Sequence, residues 1–533
     1  MHTRKMMLKT AVGVVLLAMV MGAMARSSIY SNNRPWTAYA YDQVSNNMVI
    51  AFSPMQTQYG LSFGLETRMC DGPDNCGDSQ TTYEVAKCIR DGTAQAVVED
   101  ISVYVPSTHN VFNGQYMLYT EYNPNLSGDA STPAANNLRF EYCPALGCAH
   151  SVVNNYPRTI LENAYWPAMT FVQAALGKKV PAIGYVTIPK AIGSLPSVDH
   201  VGELTVTVCS KVDCDAQTDA TKTVIDSCRG ADDAGSPMCA GVSMTTVDQK
   251  ALILYYGPSL NQGSDGIWLK TAYCGDLNCS PKTNVITDHY QVLEEVKPFA
   301  GDSIIMTRNG GFPAFVHVKS DGELYLTRCS VYDCQTTTEE PVSSGLFSQS
   351  QAEPHMAMSH NDNPVIIWIR EVKVQGTTKR DIMIVYCDDE ACTTRSSPEA
   401  ITDCAGNTCS PSHPRITAVA DDFMVISYWD TVHSKDFMVM CTNTTCTPEE
   451  IANPIEVDTT WGDGECTGLF PAPSSSPKKK SNAGAVAAGV IISLIALAGV
   501  AVFAYWFAVV RQGGRWPWEG IAQPKGLDSY AEL

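Results

Sequence analysis

The sequence predicts an all-β fold, a seven-bladed β-propeller ectodomain followed by one C-terminal transmembrane helix. Three observations predict it: cysteines recur in pairs at a steady register, short apolar runs lead into each pair, and an apolar segment lies at either end of the region that holds them.

The first apolar segment reads as a secretory signal. Residues 1–25 join a basic start (Arg4, Lys5, Lys9) to an apolar run from Thr10 to Met21, and Ala23-Met24-Ala25 has the form of a signal-peptidase site. The second reads as a membrane span. Residues 481–510 carry no charged side chain, and at about 1.5 Å per helical residue they exceed a hydrocarbon core of about 30 Å. Tyr505, Trp506, Phe507, Arg511, Arg515, Trp516 and Trp518 form an interfacial belt with basic anchors at its end. Lys478, Lys479 and Lys480 on the other flank oppose the positive-inside rule, but the signal commits the N-terminal side to the lumen first. A type I single-pass topology follows, with residues 467–480 a Pro/Ser/Lys stalk and residues 511–533 a cytoplasmic tail.

Twenty cysteines in a secreted region should be paired, because that compartment is oxidising. Fourteen of them form a register: Cys70/Cys76, Cys143/Cys148, Cys209/Cys214, Cys274/Cys279, Cys329/Cys334, Cys387/Cys392 and Cys441/Cys446. Six of these seven pairs are C-x4-C, and the first cysteines are spaced by 73, 66, 65, 55, 58 and 54 residues, close to the period of propeller blades. Seven pairs across residues 30–466 predict seven blades.

Individual strands can be read in the later units, where β-branched and aromatic runs are separated by Gly, Asn, Asp and Pro. In the fifth unit, 302–307, 312–319 and 323–329 are strands A, B and C. The sixth gives 355–360, 364–371 and 381–387, and the seventh 415–421, 422–430 and 436–441. Each strand C ends at a cysteine, so the disulfide closes a six-residue ring at the base of the outer hairpin. Such a ring contributes about 2 kcal/mol on the chain-entropy estimate. It also steadies the outermost strand, which has a single neighbour. Zinc is the rival use of paired cysteines, but C-x4-C lacks the C-x2-C spacing and further ligands of a zinc site.

The six remaining cysteines fall in or just after D–A connections. Cys404/Cys409 and Cys228/Cys239 are expected to pair locally, which leaves Cys88 and Cys466 to bridge the first and last units.

The run of Asn/Gly-x-Pro-Val-Ile followed by a strand ending in Cys-x4-Cys resembles the paired-cysteine propeller repeats of surface proteins, distantly similar to sialidase-like propellers. The resemblance implies architecture and leaves function open, since propellers host enzymes, receptors and scaffolds. The Asp-box of sialidases is absent; Ser320-Asp321-Gly322 lacks its spacing and reads as a turn.

No catalytic set, cofactor loop or metal-ligand spacing stands out. The ten histidines are scattered, no Gly-rich phosphate loop opens a helix, and Asp421-Asp422 and Asp388-Asp389-Glu390 lack the alternation of a calcium loop. Nine of the 36 basic residues but only three of the 55 acidic ones lie outside the ectodomain, leaving it near −25, which excludes nucleic acid as a partner. The B–C connections of the second, third, fourth and sixth units are long (122–137, 189–200, 257–266 and 371–379), whereas the C–D turns are short. Loops of that kind carry binding, so the B–C/D–A face is the expected ligand face.

Sequons stand at Asn125, Asn278 and Asn443. Ala485, Gly489 and Ser493 form a small-residue stripe that permits helix-mediated self-association. Tyr530 and Leu533 end the tail as a tyrosine-based sorting signal. The expectation is a receptor- or adhesion-like module of the plasma or endosomal membrane, not an enzyme, that binds an extracellular protein or glycan; the alternative is a membrane-tethered glycan-acting hydrolase.

Overall fold

The computed structural model describes residues within 37–457, mainly the strands and the tighter turns, and is continuous over 239–260, 267–292, 311–319, 323–343, 361–374 and 377–402. The signal segment, stalk, transmembrane segment and tail lie outside the described residues. Among the described residues, no helix is long and apolar enough to cross a membrane.

Among the described residues, seven four-stranded antiparallel sheets follow one another along the chain, and the class is an all-β propeller. From strand A to strand D, sheet 1 is Thr37–Asp42, Asn47–Phe52, Leu65–Cys70 and Gln80–Ala86, and sheet 2 is Val97–Tyr104, Gln115–Tyr122, Asn136–Cys143 and Arg158–Glu162. Sheet 3 is Ala164–Gln173, Lys179–Thr187, Gly202–Cys209 and Ala220–Cys228; sheet 4 is Ala240–Val247, Lys250–Pro258, Ile267–Tyr273 and Val285–Val292. Sheet 5 is Ile305–Thr307, Pro313–Val318, Leu324–Cys329 and Thr337–Ser343, and sheet 6 is His355–Met358, Pro364–Val374, Thr377–Tyr386 and Glu399–Ala400. Sheet 7 is Pro411–Ala418, Met424–Asp430, Lys435–Cys441 and Ile455–Val457.

Burial explains why strand B is so apolar. In sheet 4, residues 251–257 (ALILYYG) are buried without interruption, and in sheet 7 all of Met424–Asp430 is buried. A strand covered on both faces needs no polar alternation. Strand D of sheet 5 (TTEEPVS) is largely open to solvent, as the outermost strand of a blade should be. The shared cores run from sheet to sheet: Leu254, Tyr256 and Leu269 of sheet 4 meet Phe315 and Cys329 of sheet 5, and Val316 and Leu326 of sheet 5 meet Ile366 and Trp368 of sheet 6. Met48, Ile50 and Cys70 of sheet 1 pack with Val425, Met438 and Met440 of sheet 7. The first and last sheets therefore touch without exchanging a strand.

Six disulfides are described, and three of their loops share one local geometry. Cys274–Cys279, Cys329–Cys334 and Cys387–Cys392 are disulfides, as are Cys209–Cys214, Cys404–Cys409 and Cys441–Cys446. Cys279, Cys334 and Cys392 have φ of 52°, 57° and 57°, the left-handed region that β-carbon-bearing residues rarely occupy. Each of their amides donates to the carbonyl three residues back, of Asp276, Val331 and Asp389. The cross-link and this hydrogen bond together hold the loop closed.

Several sequence expectations are corrected. The B–C connection of the sixth unit is not a loop: strands B and C run on to Val374 and Thr377, and the pairing Glu371↔Arg380, Val372↔Lys379 and Lys373↔Thr378 makes a projecting hairpin. Only Val372 and Val374 are apolar between Glu371 and Arg380, too few to mark a strand pair by pattern. The first unit also carries an addition, with Met55–Gln56 pairing Leu61–Ser62 between strands B and C. The C–D connection of the seventh unit is not a bare turn. It holds α1 (Pro448–Ala452), started by a capping box in which Thr447 accepts from the Glu450 amide. Strand A of that sheet begins at Pro411 rather than Arg415, because a bulge between Ser412 and Arg415 interrupts its pattern.

Gly275 follows Cys274 where the chain passes close to itself, since a β-carbon there would stand 2.1 Å from the Thr283 carbonyl oxygen. Gly275→Ala should cost about 1–3 kcal/mol, seen as a lowered melting temperature of the full-length chain; an unchanged melting temperature would contradict this geometry.

Candidate ligand-binding face

Strand direction puts the cysteine loops, between strands C and D, on one face and the B–C and D–A connections on the other. Charges are used differently on the two. On the cysteine face, Asp389 accepts from the amides of Ala391, Thr393 and Thr394 and from the Thr393 hydroxyl, at 2.7–3.1 Å. These bonds, that of the Thr393 hydroxyl foremost, hold the carboxyl far below its ordinary range. Asp276 is arranged similarly by Asn278, Ser280 and Thr283. Both acids are spent on their own loops, and neither Asp388-Asp389-Glu390 nor Asp276 offers a free oxygen cage. The ion pairs Arg328–Glu390 (3.0 Å) and Arg395–Glu340 (3.1 Å) link sheets 5 and 6 on this side.

On the B–C/D–A face the charges are buried and cross between sheets. Lys270, on strand C of sheet 4, is 1% exposed and lies 2.7 Å from Asp226 of sheet 3 and 3.8 Å from Asp288 of its own sheet. Its ammonium also donates to the Pro258 carbonyl at 2.8 Å and stands 5.4 Å from the Tyr255 ring centre. The Tyr255 hydroxyl donates to Asp226 at 2.6 Å; burial, and then the Asp226 charge, push its ionisation well above the usual tyrosine range. Asp288 accepts from the Ser259 hydroxyl and the Leu260 amide. Two acids thus flank one base at the joint of sheets 3 and 4, and the base is fully engaged. Its chemistry is that of a fastening.

At the joint of sheets 6 and 7 the arrangement is more open. Glu353 precedes strand A of sheet 6, and its carboxylate lies 3.7 Å from Arg380, on the projecting hairpin, and 3.3 Å from the His413 ring, on strand A of sheet 7. The His413 amide also donates to Glu353. Glu353 and His413 have φ of 41° and 51°, so the contact joins two backbones that both lie in the left-handed region. Beside it, buried Asp381 accepts from Arg370 at 3.3 Å, meets Lys379 at 3.2 Å and takes the Cys404 amide at 3.3 Å. Arg370 remains 38% exposed above it. The buried Nε groups of Arg370 and Arg380 have no hydrogen-bond partner. Asp430 and His433 pair at the next B–C turn, where the Ser410 amide donates to Asp430.

Of the residues picked from sequence, Cys70, Cys143 and Cys239 are disulfide-bonded, and none of the described cysteines is free. Cys228 ends strand D of sheet 3 and Cys239 immediately precedes strand A of sheet 4. Cys76, Cys88, Cys148, Cys466, Asn125, Asn443, Tyr530 and Leu533 lie outside the described residues. Asn278 is exposed at a cysteine-loop tip, on the face opposite the buried charges. Glu353, Arg370, Arg380, Asp381, His413 and Lys270 were not legible as a site. The signal that was present is the charge-rich stretch 370–381, which the sequence places in a long B–C connection on the expected ligand face.

Fold and face together define a β-propeller with a structured cysteine side and a charged loop side. No protein-family model matches the chain, and no curated protein matches it. Among solved structures it is similar to the NanB sialidase of Streptococcus pneumoniae, at 8% identity over 75% of this chain and 66% of that one, with a TM-score of 0.37. It is also similar to an α-L-arabinofuranosidase of Lactobacillus brevis, at 12% identity over 57% of this chain and 93% of that one, with a TM-score of 0.29. A thermostable family-43 glycoside hydrolase matches at 11% identity over 68% and 95%, with a TM-score of 0.30. What those proteins cleave is a property of theirs, and it assigns no residue here.

Removing Lys270 tests the fastening. Lys270→Met leaves Asp226 and Asp288 buried without their cation and should cost about 3–5 kcal/mol, whereas the same change with Asp226→Asn and Asp288→Asn should recover much of the loss. Thermal unfolding of the single and triple variants distinguishes this from simple loss of packing, which the triple variant would not repair.

Proposed function

We propose that the chain is a type I single-pass membrane protein whose ectodomain, seven blades in one closed ring, binds an extracellular ligand through the B–C/D–A face, with the contact centred on Arg370 and Arg380 of the projecting hairpin. What supports the ring is the packing of Met48, Ile50 and Cys70 of the first sheet on Val425, Met438 and Met440 of the last. What supports the binding centre is one observation: in an acidic protein, three cationic side chains, Arg370, Lys379 and Arg380, gather where strands B and C of sheet 6 run on into their hairpin, with Arg370 38% and Lys379 29% exposed. Guanidinium groups in that setting suit carboxylate, sulfate or phosphate groups, as carried by acidic glycans and acidic peptides. The signal segment, stalk and span supply the membrane setting, and Tyr530 and Leu533 a sorting signal between the plasma and endosomal membranes; these rest on the sequence alone.

A second reading is a membrane-tethered glycan-acting hydrolase on the same face. Glu353 favours it, being a carboxylate held between an arginine and a histidine, a setting suited to proton transfer.

One experiment separates them. The full-length chain in detergent micelles is applied to an array of sialylated, sulfated and neutral glycans and acidic peptides, and assayed for glycan release. Binding to acidic probes that falls about 10-fold or more in Arg370→Gln/Arg380→Gln, without turnover, is the expected result. Turnover abolished by Glu353→Gln would establish the hydrolase reading instead, and binding insensitive to the two arginine changes would remove this hairpin from the contact.

A further inference from the structure

The joint between sheets 4 and 5 is built around two histidines. His317, on strand B of sheet 5, is fully buried. The Tyr290 ring, from strand D of sheet 4, lies against it at 4.2 Å, and the Phe315 and Tyr325 rings stand at 5.7 and 6.0 Å. Its Nδ1 is 3.4 Å from the Thr327 hydroxyl, while its Nε2 has no hydrogen-bond partner and stops 4.0 Å short of Glu339. Glu339 is taken up by Lys319, whose ammonium caps the Tyr325 ring at 4.0 Å. The neighbouring His289 hydrogen-bonds Thr271 at 2.8 Å and lies on Phe315. Two imidazoles therefore pack on the same Phe315 ring at one joint, and the Tyr290 hydroxyl reaches across it to the Val318 carbonyl at 3.4 Å.

The surroundings oppose a charge on His317. Burial holds its ionisation well below the ordinary histidine range, and Lys319 and His289 add to that. His289 is pulled down to about 4 by burial, against the opposing pull of Asp288. Tyr290 faces His317 from sheet 4, with Tyr256 beside it, and Tyr325, bonded to Glu323, faces it from sheet 5; the anion beside His317 is Glu339, committed to Lys319, and that beside His289 is Asp288.

We propose that this joint is an acid-sensitive seam: His317 takes up a proton only when Tyr290 and the Lys319–Glu339 clamp move away from it, so sheets 4 and 5 part more often as the pH falls. The sign follows from linkage. The closed seam binds fewer protons than the open one, so the stability that neutral His317 supports is complete above the open-state value near 6.5 and is lost as the pH falls below it. The ordinary carboxylates do not titrate in the upper part of this window. Lumenal compartments through which a sorted membrane protein passes span this range, but the seam stands independently of the ligand reading.

Amide hydrogen exchange of the full-length chain in micelles, corrected for intrinsic rates, tests it at pH 7.4 and 5.0. Peptides from strand D of sheet 4 and strand B of sheet 5 should open about 30-fold more often at the lower pH if His317 alone becomes exposed, with little change in strands A and B of sheet 3. His317→Gln should reduce that dependence, and His317→Gln combined with His289→Gln should remove it. Equal protection at the two pH values in the parent chain overturns the proposal, even should the variants fail to fold, and so does a pH dependence that His317→Gln leaves undiminished.

Discussion

Everything in this molecule depends on one constraint: a single four-stranded sheet cannot bury its own faces. Strand B of sheets 4 and 7 is apolar along its whole length because a neighbouring sheet covers each side. The stability of any sheet is therefore held jointly with the next, as in other repeat proteins. What distinguishes one joint from another is the polar chemistry at its edge. The joint of sheets 3 and 4 has a buried lysine between two acids, that of 4 and 5 has neutral imidazoles, and that of 6 and 7 has the Glu353–Arg380–His413 contact. The apolar packing is repetitive; the specificity of each joint lies in these few groups.

The two faces divide the remaining work. The cysteine loops satisfy their own polar groups: the Asp389 and Asp276 carboxylates accept from amides of the same loop, and the disulfide fixes a cysteine in the left-handed region. Such loops are short and finished, which limits what they can offer a partner. The opposite face keeps charges that satisfy one another only across sheets, and there the chain extends beyond the core as the hairpin to Val374 and Thr377.

Much of the architecture was legible because cysteines and apolar runs are local signals. Strands B and C of the fifth, sixth and seventh units begin or end within a few residues of where their patterns place them, and the disulfides of six-residue rings sit where the spacing puts them. Strand D was not legible, since an edge strand such as Thr337–Ser343 is polar and exposed and resembles a loop. The charged site was not legible for a different reason. Glu353, Arg380 and His413 come from two sheets and meet only because a bulge at Ser412–Arg415 and two left-handed residues turn them together. No spacing along the chain encodes such a meeting.

Each sheet is made from one uninterrupted stretch of chain, and the cysteine partners seen in its outer hairpin stand five positions apart. A chain synthesised from its N-terminal end can therefore complete its sheets in the order in which they emerge, each one templating the next. Contacts are local at every stage but the last, which keeps loop-closure entropy low and shortens the time that unpaired edges are exposed. Only the contact of Met48 and Ile50 with Met438 and Met440 must wait for the whole sequence to arrive. Assembly of this protein is accordingly a sequence of quick local steps with one slow final event, and a chain cut short before the seventh sheet would be left with two uncovered sheet faces and nothing to cover them.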